Sequence, residues 1–247
     1  MTDDLPVVSA RTASAPSTGG PAPTTAGAEP VATAYDGLAS GYDDFHVDAK
    51  SRAENDWVRD RLAARIGPST RLVDLGCGTG LLLDLLPVAP DRYLGIDISE
   101  GMLERARAKH PDHRFVRGDI QNVSPELGRF DLVVSLFGSA SYCGLEPFAR
   151  SVGRLSAEGA GHFLMYCGPR YLARSTYINK GQQLLRPYSQ RSLRARFPAS
   201  RVRGMSWLVD AAPGWLPAPL LRGLLEADVR TAGRYFPDRC FFLVVER

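Results

Sequence analysis

"RLVDLGCGTGLLLDLL", residues 71–86, runs from an apolar stretch into three alternating glycines and then into a second apolar stretch. The first stretch is short and closed by glycine, as a buried strand is; the second carries the leucines of a helix. Gly76, Gly78 and Gly80 therefore mark a strand–turn–helix unit whose turn lets backbone approach a ligand closely. Two familiar phosphate-binding forms of such a turn do not match. The dinucleotide fingerprint G-x-G-x-x-G needs a glycine where this chain has Leu81, and the P-loop needs a lysine where Leu81 follows Gly80. The turn is shaped for close contact, without the phosphate chemistry of either motif.

The alternation continues outward from this unit. RYLGIDI (92–98) reads as a second strand, and Ser99 caps a helix through 109. HRFVRGD (113–119) and FDLVVSLF (130–137) read as the third and fourth strands, and a helix around 145–155 leads to GHFLMYC (161–167). Strands alternating with helices imply βαβ crossovers and a parallel sheet covered on both faces. Residues 168–189 have no clean period and exceed an ordinary connection. A helix from near Ser189, a strand over 201–209, a helix in the Pro-punctuated stretch beyond it and a last strand at 240–246 complete the pattern. The last two strands can pair antiparallel at the sheet edge. The predicted class is α/β: a seven-stranded, mostly parallel, Rossmann-like sheet with helices on both faces and the last strand antiparallel.

Upstream, Trp57, Val58, Leu62 and Ile66 recur at helical spacing until Gly67-Pro68. Order is expected from near Val31, and residues 1–30, rich in Ala, Pro, Thr, Ser and Gly, read as a disordered tail. The 247 residues, 44% hydrophobic, suffice for one full core. The formal charge is +3, the only lysines are Lys50, Lys109 and Lys180, and the arginines are scattered, so no nucleic-acid surface is expected. Cys77, Cys143, Cys167 and Cys240 lie far apart beside apolar runs, as free thiols of a reducing, cytoplasmic compartment would. No apolar run of 18 residues and no basic-then-apolar leader occurs, so neither a membrane span nor a secretory signal is expected. No C-x-x-C or H-E-x-x-H spacing calls for a metal.

Ligands of open α/β sheets bind beyond the carboxyl ends of the strands. Asp97 ends the second strand, where a carboxylate can accept both hydroxyls of a ribose. Asp119 ends the third and, with Ile120 beside it, suits an adenine amino group; Met102, one turn into the following helix, can lie against the base. A ribose and an adenine are implied, with no place for a pyrophosphate.

This constellation resembles the class I S-adenosylmethionine-dependent methyltransferases of small-molecule type. VDLGCGTG is similar to that family's glycine motif, GIDIS to its ribose-binding strand end, and RGDIQNVS with FDLVVS to its third and fourth segments. The resemblance implies that Asp74 and the backbone around Gly76, Cys77 and Gly78 hold the methionine amine and carboxylate of S-adenosyl-L-methionine. It places Asp97 on the ribose, Ile98, Met102 and Ile120 on the adenine ring, and Asp119 on its amino group. Leu136 and Phe137 would lie beneath the cofactor toward the acceptor. It also implies N-terminal lid helices (31–67) bearing Tyr35-Asp36 and Tyr42-Asp43, with Tyr42 near the methionine carboxylate; alternatively both tyrosines pack the helix on the sheet.

For the acceptor, no Asn-Pro-Pro-Tyr or Asp-Pro-Pro-Tyr follows the fourth strand, which argues against adenine and glutamine amino groups. His46 in the lid and Tyr142 beyond the fourth strand are the candidate catalytic residues. The segment 168–189 would cover the substrate, and its mixed arginines and tyrosines suit an acidic or aromatic small molecule, or an ordinary solvated loop. Trp207 to Leu225 would close the pocket or make a dimer contact, leaving monomer and homodimer open. The implied activity is methyl transfer by in-line displacement to an oxygen of a secondary metabolite. The alternatives are N- or C-methylation, or a non-catalytic cofactor-binding protein.

Overall fold

The computed structural model describes residues 28–171 and 185–247. In chain order the elements are α1 (Ala28–Leu38), α2 (Ala49–Ala63), β1 (Leu72–Leu75), α3 (Leu81–Leu85), β2 (Tyr93–Asp97), α4 (Glu100–Lys109), β3 (Arg114–Arg117) and β4 (Phe130–Ser135). They are followed by α5 (Leu145–Leu155), β5 (Ser156–Cys167), α6 (Gln190–Arg196), β6 (Arg201–Met205), α7 (Trp207–Ala211), α8 (Ala218–Arg230), α9 (Ala232–Tyr235) and β7 (Phe242–Glu246). A short 3₁₀ turn, Ala39–His46, joins α1 to α2.

The seven strands form one sheet in the order β3-β2-β1-β4-β5-β7-β6. β1 to β5 pair in parallel, and β7 runs antiparallel to both β5 and β6. The expected antiparallel pair does close the sheet, with β6 outermost and β7 inserted beside β5. β1 has β2 on one side and β4 on the other, so successive crossovers leave the sheet in opposite directions there. That reversal opens a crevice at the carboxyl ends of β1 and β4.

Both faces are covered, as the apolar strands require. Trp57 and Leu62 of α2, Leu82 of α3, Leu103 of α4, and Leu221 and Leu225 of α8 pack on one face. Phe148, Val152 and Leu155 of α5 and Leu193 of α6 pack on the other, against Leu94, Ile96 and Tyr166. Ser99 caps α4 as expected, its Oγ accepting from the Met102 N–H at 3.1 Å.

Several boundaries differ from the sequence reading, among them three that shift by three residues or more. α1 is described from Ala28, ahead of the expected Val31, with Ala28 and Ala32 buried on the domain. β5 begins at Ser156, ahead of the expected 161, with an irregularity in its pairing to β4. The strand expected over 201–209 stops at Met205. Ser206 turns the chain with φ 67°, and the buried Asp228 carboxylate accepts from the Leu208 N–H at 2.7 Å, starting α7 instead. Residues 1–27 of the expected tail, and 172–184 of the expected cover with Arg174, Tyr177 and Lys180, lie outside the described residues.

Candidate functional site

The glycine turn sets the floor of the crevice. Gly76, Gly78 and Gly80 all have positive φ (76°, 54° and 88°), a backbone region that side chains resist. A Cβ at Gly76 would stand 2.4 Å from the Ser139 Cβ, so β1 and the loop after β4 touch through that glycine. Ser139 Oγ donates to the Gly76 carbonyl at 3.1 Å and fixes the contact. Phe137, two residues past the end of β4, also has positive φ (46°), followed by Gly138 at 88°. The strand end is thus bent sharply aside.

Asp97 organises the wall. Its Oδ2 accepts from the Gly78 N–H at 2.8 Å and its Oδ1 from the Ser99 N–H at 3.0 Å. Burial pushes its carboxyl above the usual range despite these bonds. Asp119 is buried, and its Oδ1 accepts from the Gln121 N–H at 2.9 Å. Gln121 in turn accepts from the Gly144 N–H through Oε1 at 2.7 Å, tying the β3 end to the start of α5.

The roof comes from α1 and the 3₁₀ turn. The Tyr35 hydroxyl donates to the Tyr142 hydroxyl at 3.1 Å, and the Tyr35 ring meets those of Tyr42 and Tyr142 at 5.9 and 5.6 Å. Burial pushes all three phenols up in pKa; the Asp97 carboxylate adds to this at Tyr42. They are neutral donors at neutral pH and poor bases.

These parts enclose a cavity of about 620 Å³, counting its open mouth. Tyr42, Gly76, Gly78, Asp97, Ile98, Met102, Asp119, Ile120 and Tyr142 of the sequence-derived site line it. Tyr35, Gln121, Ser139 and Cys143 line it too, with Ala28 and Val31 of α1. Sequence reasoning had assigned no role to Gln121, Ser139 or Cys143; each follows a recognised strand end, but nothing in its residue type marks it.

The five other expected residues are not among the described residues that line the cavity. Asp74 is buried behind the turn, where its Oδ2 accepts from the Tyr93 hydroxyl at 3.2 Å and its Oδ1 has no hydrogen-bond partner. Burial raises its pKa to about 7. Cys77 points its buried sulfur toward Gly95 and the core. Leu136 is part of the core, and the Phe137 ring rests on Phe242 at 6.0 Å. His46 ends the 3₁₀ turn, and its side chain is outside the described residues.

Among the described residues that line the cavity there is no Lys, Arg or His, and there are two carboxylates. Such a wall offers no cation to cradle a pyrophosphate. It fits a phosphate-free adenosine, with Asp97 and Asp119 for polar edges and Ile98, Met102 and Ile120 for the flat base.

Residues 72–159 match the family model described as a methyltransferase domain. The chain is 35% identical over 91 residues to the dTDP-3-amino-3,4,6-trideoxy-alpha-D-glucopyranose N,N-dimethyltransferase of Streptomyces venezuelae, covering 36% of this chain and 38% of that one. It is 48% identical over 96 residues to a trans-aconitate 2-methyltransferase of Escherichia coli O1:K1 / APEC, covering 36% of each. It thus spans little more than a third of the length of these relatives. Among solved structures it is similar to a DhpI complex with SAH, with a TM-score of 0.58, 19% identity, and coverage of 90% of this chain and 97% of that one. At that identity the likeness is one of fold.

Proposed function

The chain belongs to the class I S-adenosylmethionine-dependent methyltransferase family, and from that premise we propose that it methylates an oxygen of a small-molecule acceptor. The observation that carries the cofactor reading is the cavity wall of two carboxylates and apolar side chains, free of cationic residues among those described. When bound, S-adenosyl-L-methionine supplies a methyl group already activated on a sulfonium. Asp97 would accept from the ribose hydroxyls, and Asp119 from the adenine amino group. Tyr35, Tyr42 and Tyr142 shield the cavity from water.

The protein's work is then alignment of acceptor, methyl and sulfur for in-line displacement. The three phenols stay protonated and suit the role of orienting donors, so Tyr142 serves the acceptor as a hydrogen-bonding group. An acceptor oxygen that is already anionic needs no base from the wall. That favours a carboxylate or an acidic hydroxyl, in line with the relatives that act on trans-aconitate. The aminosugar N,N-dimethyltransferase supports amine methylation as the second reading. The four buried free cysteines support a reducing, cytoplasmic setting, and tailoring of a secondary metabolite by a monomer or homodimer is part of the proposal.

Two measurements test it. Calorimetry with S-adenosylmethionine is expected to show binding that Asp97→Ala weakens about a hundredfold, the effect of losing two charge-assisted bonds. Release of S-adenosylhomocysteine is then followed against panels of carboxylic acids, phenols and amines. Turnover with acids or phenols supports oxygen as the target; turnover confined to amines overturns it.

A further inference from the structure

α2 is anchored by apolar burial, with Trp57, Val58 and Leu62 inside the core. α1 is not: only Ala28 and Ala32 are buried along it. Methyl groups of that size contribute little, about 0.8 kcal/mol per buried carbon. What fastens the lid is polar, and it repeats with the Tyr-Asp pairs seven residues apart. Asp36 Oδ1 accepts from Ser99 Oγ at 2.5 Å and from the Gly101 N–H at 3.0 Å. Asp43 Oδ1 accepts from Thr79 Oγ1 at 2.5 Å, and its Oδ2 from Lys109 Nζ at 3.3 Å. A Cβ at Gly101 would stand 3.3 Å from the Asp36 Cα, so a glycine at the start of α4 lets the lid come this close.

The partners sit on the pieces that build the cofactor wall. Thr79 is inside the glycine turn, and Ser99 is the residue whose N–H Asp97 accepts. Neither Asp36 nor Asp43 lines the cavity, whereas the tyrosine before each one does. We propose that Asp36 and Asp43 are positioning residues, two latches that hold Tyr35 and Tyr42 over the cavity and set how fast the cofactor enters and leaves. This rests on the cofactor-binding reading above. With both latches closed, lid opening precedes every exchange of cofactor. Cutting a latch makes opening easier, so association and dissociation both accelerate, and the equilibrium affinity changes less than either rate. A residue that only supports the fold would lower the melting temperature without this paired change in rates.

The test is stopped-flow tryptophan fluorescence of the full chain mixed with S-adenosylhomocysteine. Asp36→Asn and Asp43→Asn are each expected to raise the dissociation rate about tenfold, the scale of one charge-assisted bond, and to raise the association rate as well. Asp43→Glu should recover part of the loss. Thr79→Val cuts the same latch from its other side; combined with Asp43→Asn it should accelerate exchange no further than Asp43→Asn alone. Unchanged rates in variants that bind, or faster dissociation with unchanged association and a fallen melting temperature, would overturn the latch. Failure of the unaltered protein to bind S-adenosylhomocysteine would instead overturn the functional reading on which the latch depends.

Discussion

The half of the molecule built from β1 to β4 and the half built from the lid and β5 to β7 meet at one cavity but are encoded in different ways. In the first half the requirements are those of backbone. A positive-φ glycine stands where β1 must touch the loop after β4, and carboxylates end β2 and β3. All of these fall between Asp74 and Ile120. In the second half the cavity is shaped by rings brought together from afar. Tyr35 and Tyr142 touch across 107 residues of sequence; away from the cavity, the Tyr171 ring meets that of Phe241 at 4.4 Å, tilted by 48°, beside Phe242. Such rings serve a core as readily as a pocket, so residue type alone does not separate the two uses.

The strongest way to break this comparison is within the glycine turn itself. At Gly76 an added methyl would collide with Ser139 and also adopt φ 76°; at Gly78 it would meet nothing within 4 Å and only the φ of 54° would be strained. Left-handed strain alone costs about 1–2 kcal/mol. Gly78→Ala is therefore expected to lose about that much in urea unfolding. Gly76→Ala should lose several kcal/mol, because either the turn or Ser139 must move, and should bind cofactor poorly or not at all by calorimetry. Equal losses at the two positions would mean that close contact between β1 and the β4 loop is not what the turn requires.

That asymmetry also marks how far the sequence could be read. The strand–turn–helix unit, the succession of the first five strands along the chain and the antiparallel closing pair follow from period and punctuation. Asp97 and Asp119 were legible because a strand end is a place that sequence can locate. Asp74 shows the limit: one residue in the same motif faces the cavity and another faces Tyr93, and the direction depends on the pleat and on what packs behind the strand. Leu136 and Phe137 were drawn into the core side for a similar reason. The chain takes a positive φ at Phe137, and no periodic rule foresees that. The end of β6 was missed because Asp228, twenty residues on, supplies the bond that starts α7. Ser139 and Gln121 were invisible because each is defined by a neighbour on another element.

A smaller effect sharpens the comparison through pH. Burial raises both Asp74, in the glycine motif, and Glu54, on α2, to about 7. An unfolded carboxyl titrates near 4. Between roughly pH 4 and 7 the folded chain therefore keeps protons that the unfolded chain has released. Each group's contribution to stability is full below pH 4, is lost as pH rises through about 7, and is constant beyond. Asp74→Asn and Glu54→Gln should each flatten the fall in melting temperature over that window. Neither carboxyl borders the cavity, Asp74 facing Tyr93 behind the turn, so the pH dependence of S-adenosylhomocysteine affinity should stay as it is in both variants. A matching change in both would show that the titration is felt through the whole fold and does not belong to one half.

The smallest expected effect lies where the lid begins. Removal of the first 27 residues leaves Ala28, and by its composition that stretch has little with which to pack. Cofactor affinity should stay within about twofold, inside the spread of a surface change. Three residues more makes a different experiment. Ala28 is buried and lines the cavity, and the Glu29 carbonyl accepts from Thr33 Oγ1 at 3.1 Å in the first turn of α1. Loss of one buried methyl is worth about 0.8 kcal/mol, close to fourfold in binding. Removing residues 1–30 is therefore expected to weaken S-adenosylhomocysteine by about that factor, and to do so mainly through faster dissociation, because the end of the lid has lost its purchase while Asp36 and Asp43 still hold. Equal affinities for the two truncations would place the working edge of the lid beyond Pro30, among the Tyr-Asp pairs alone.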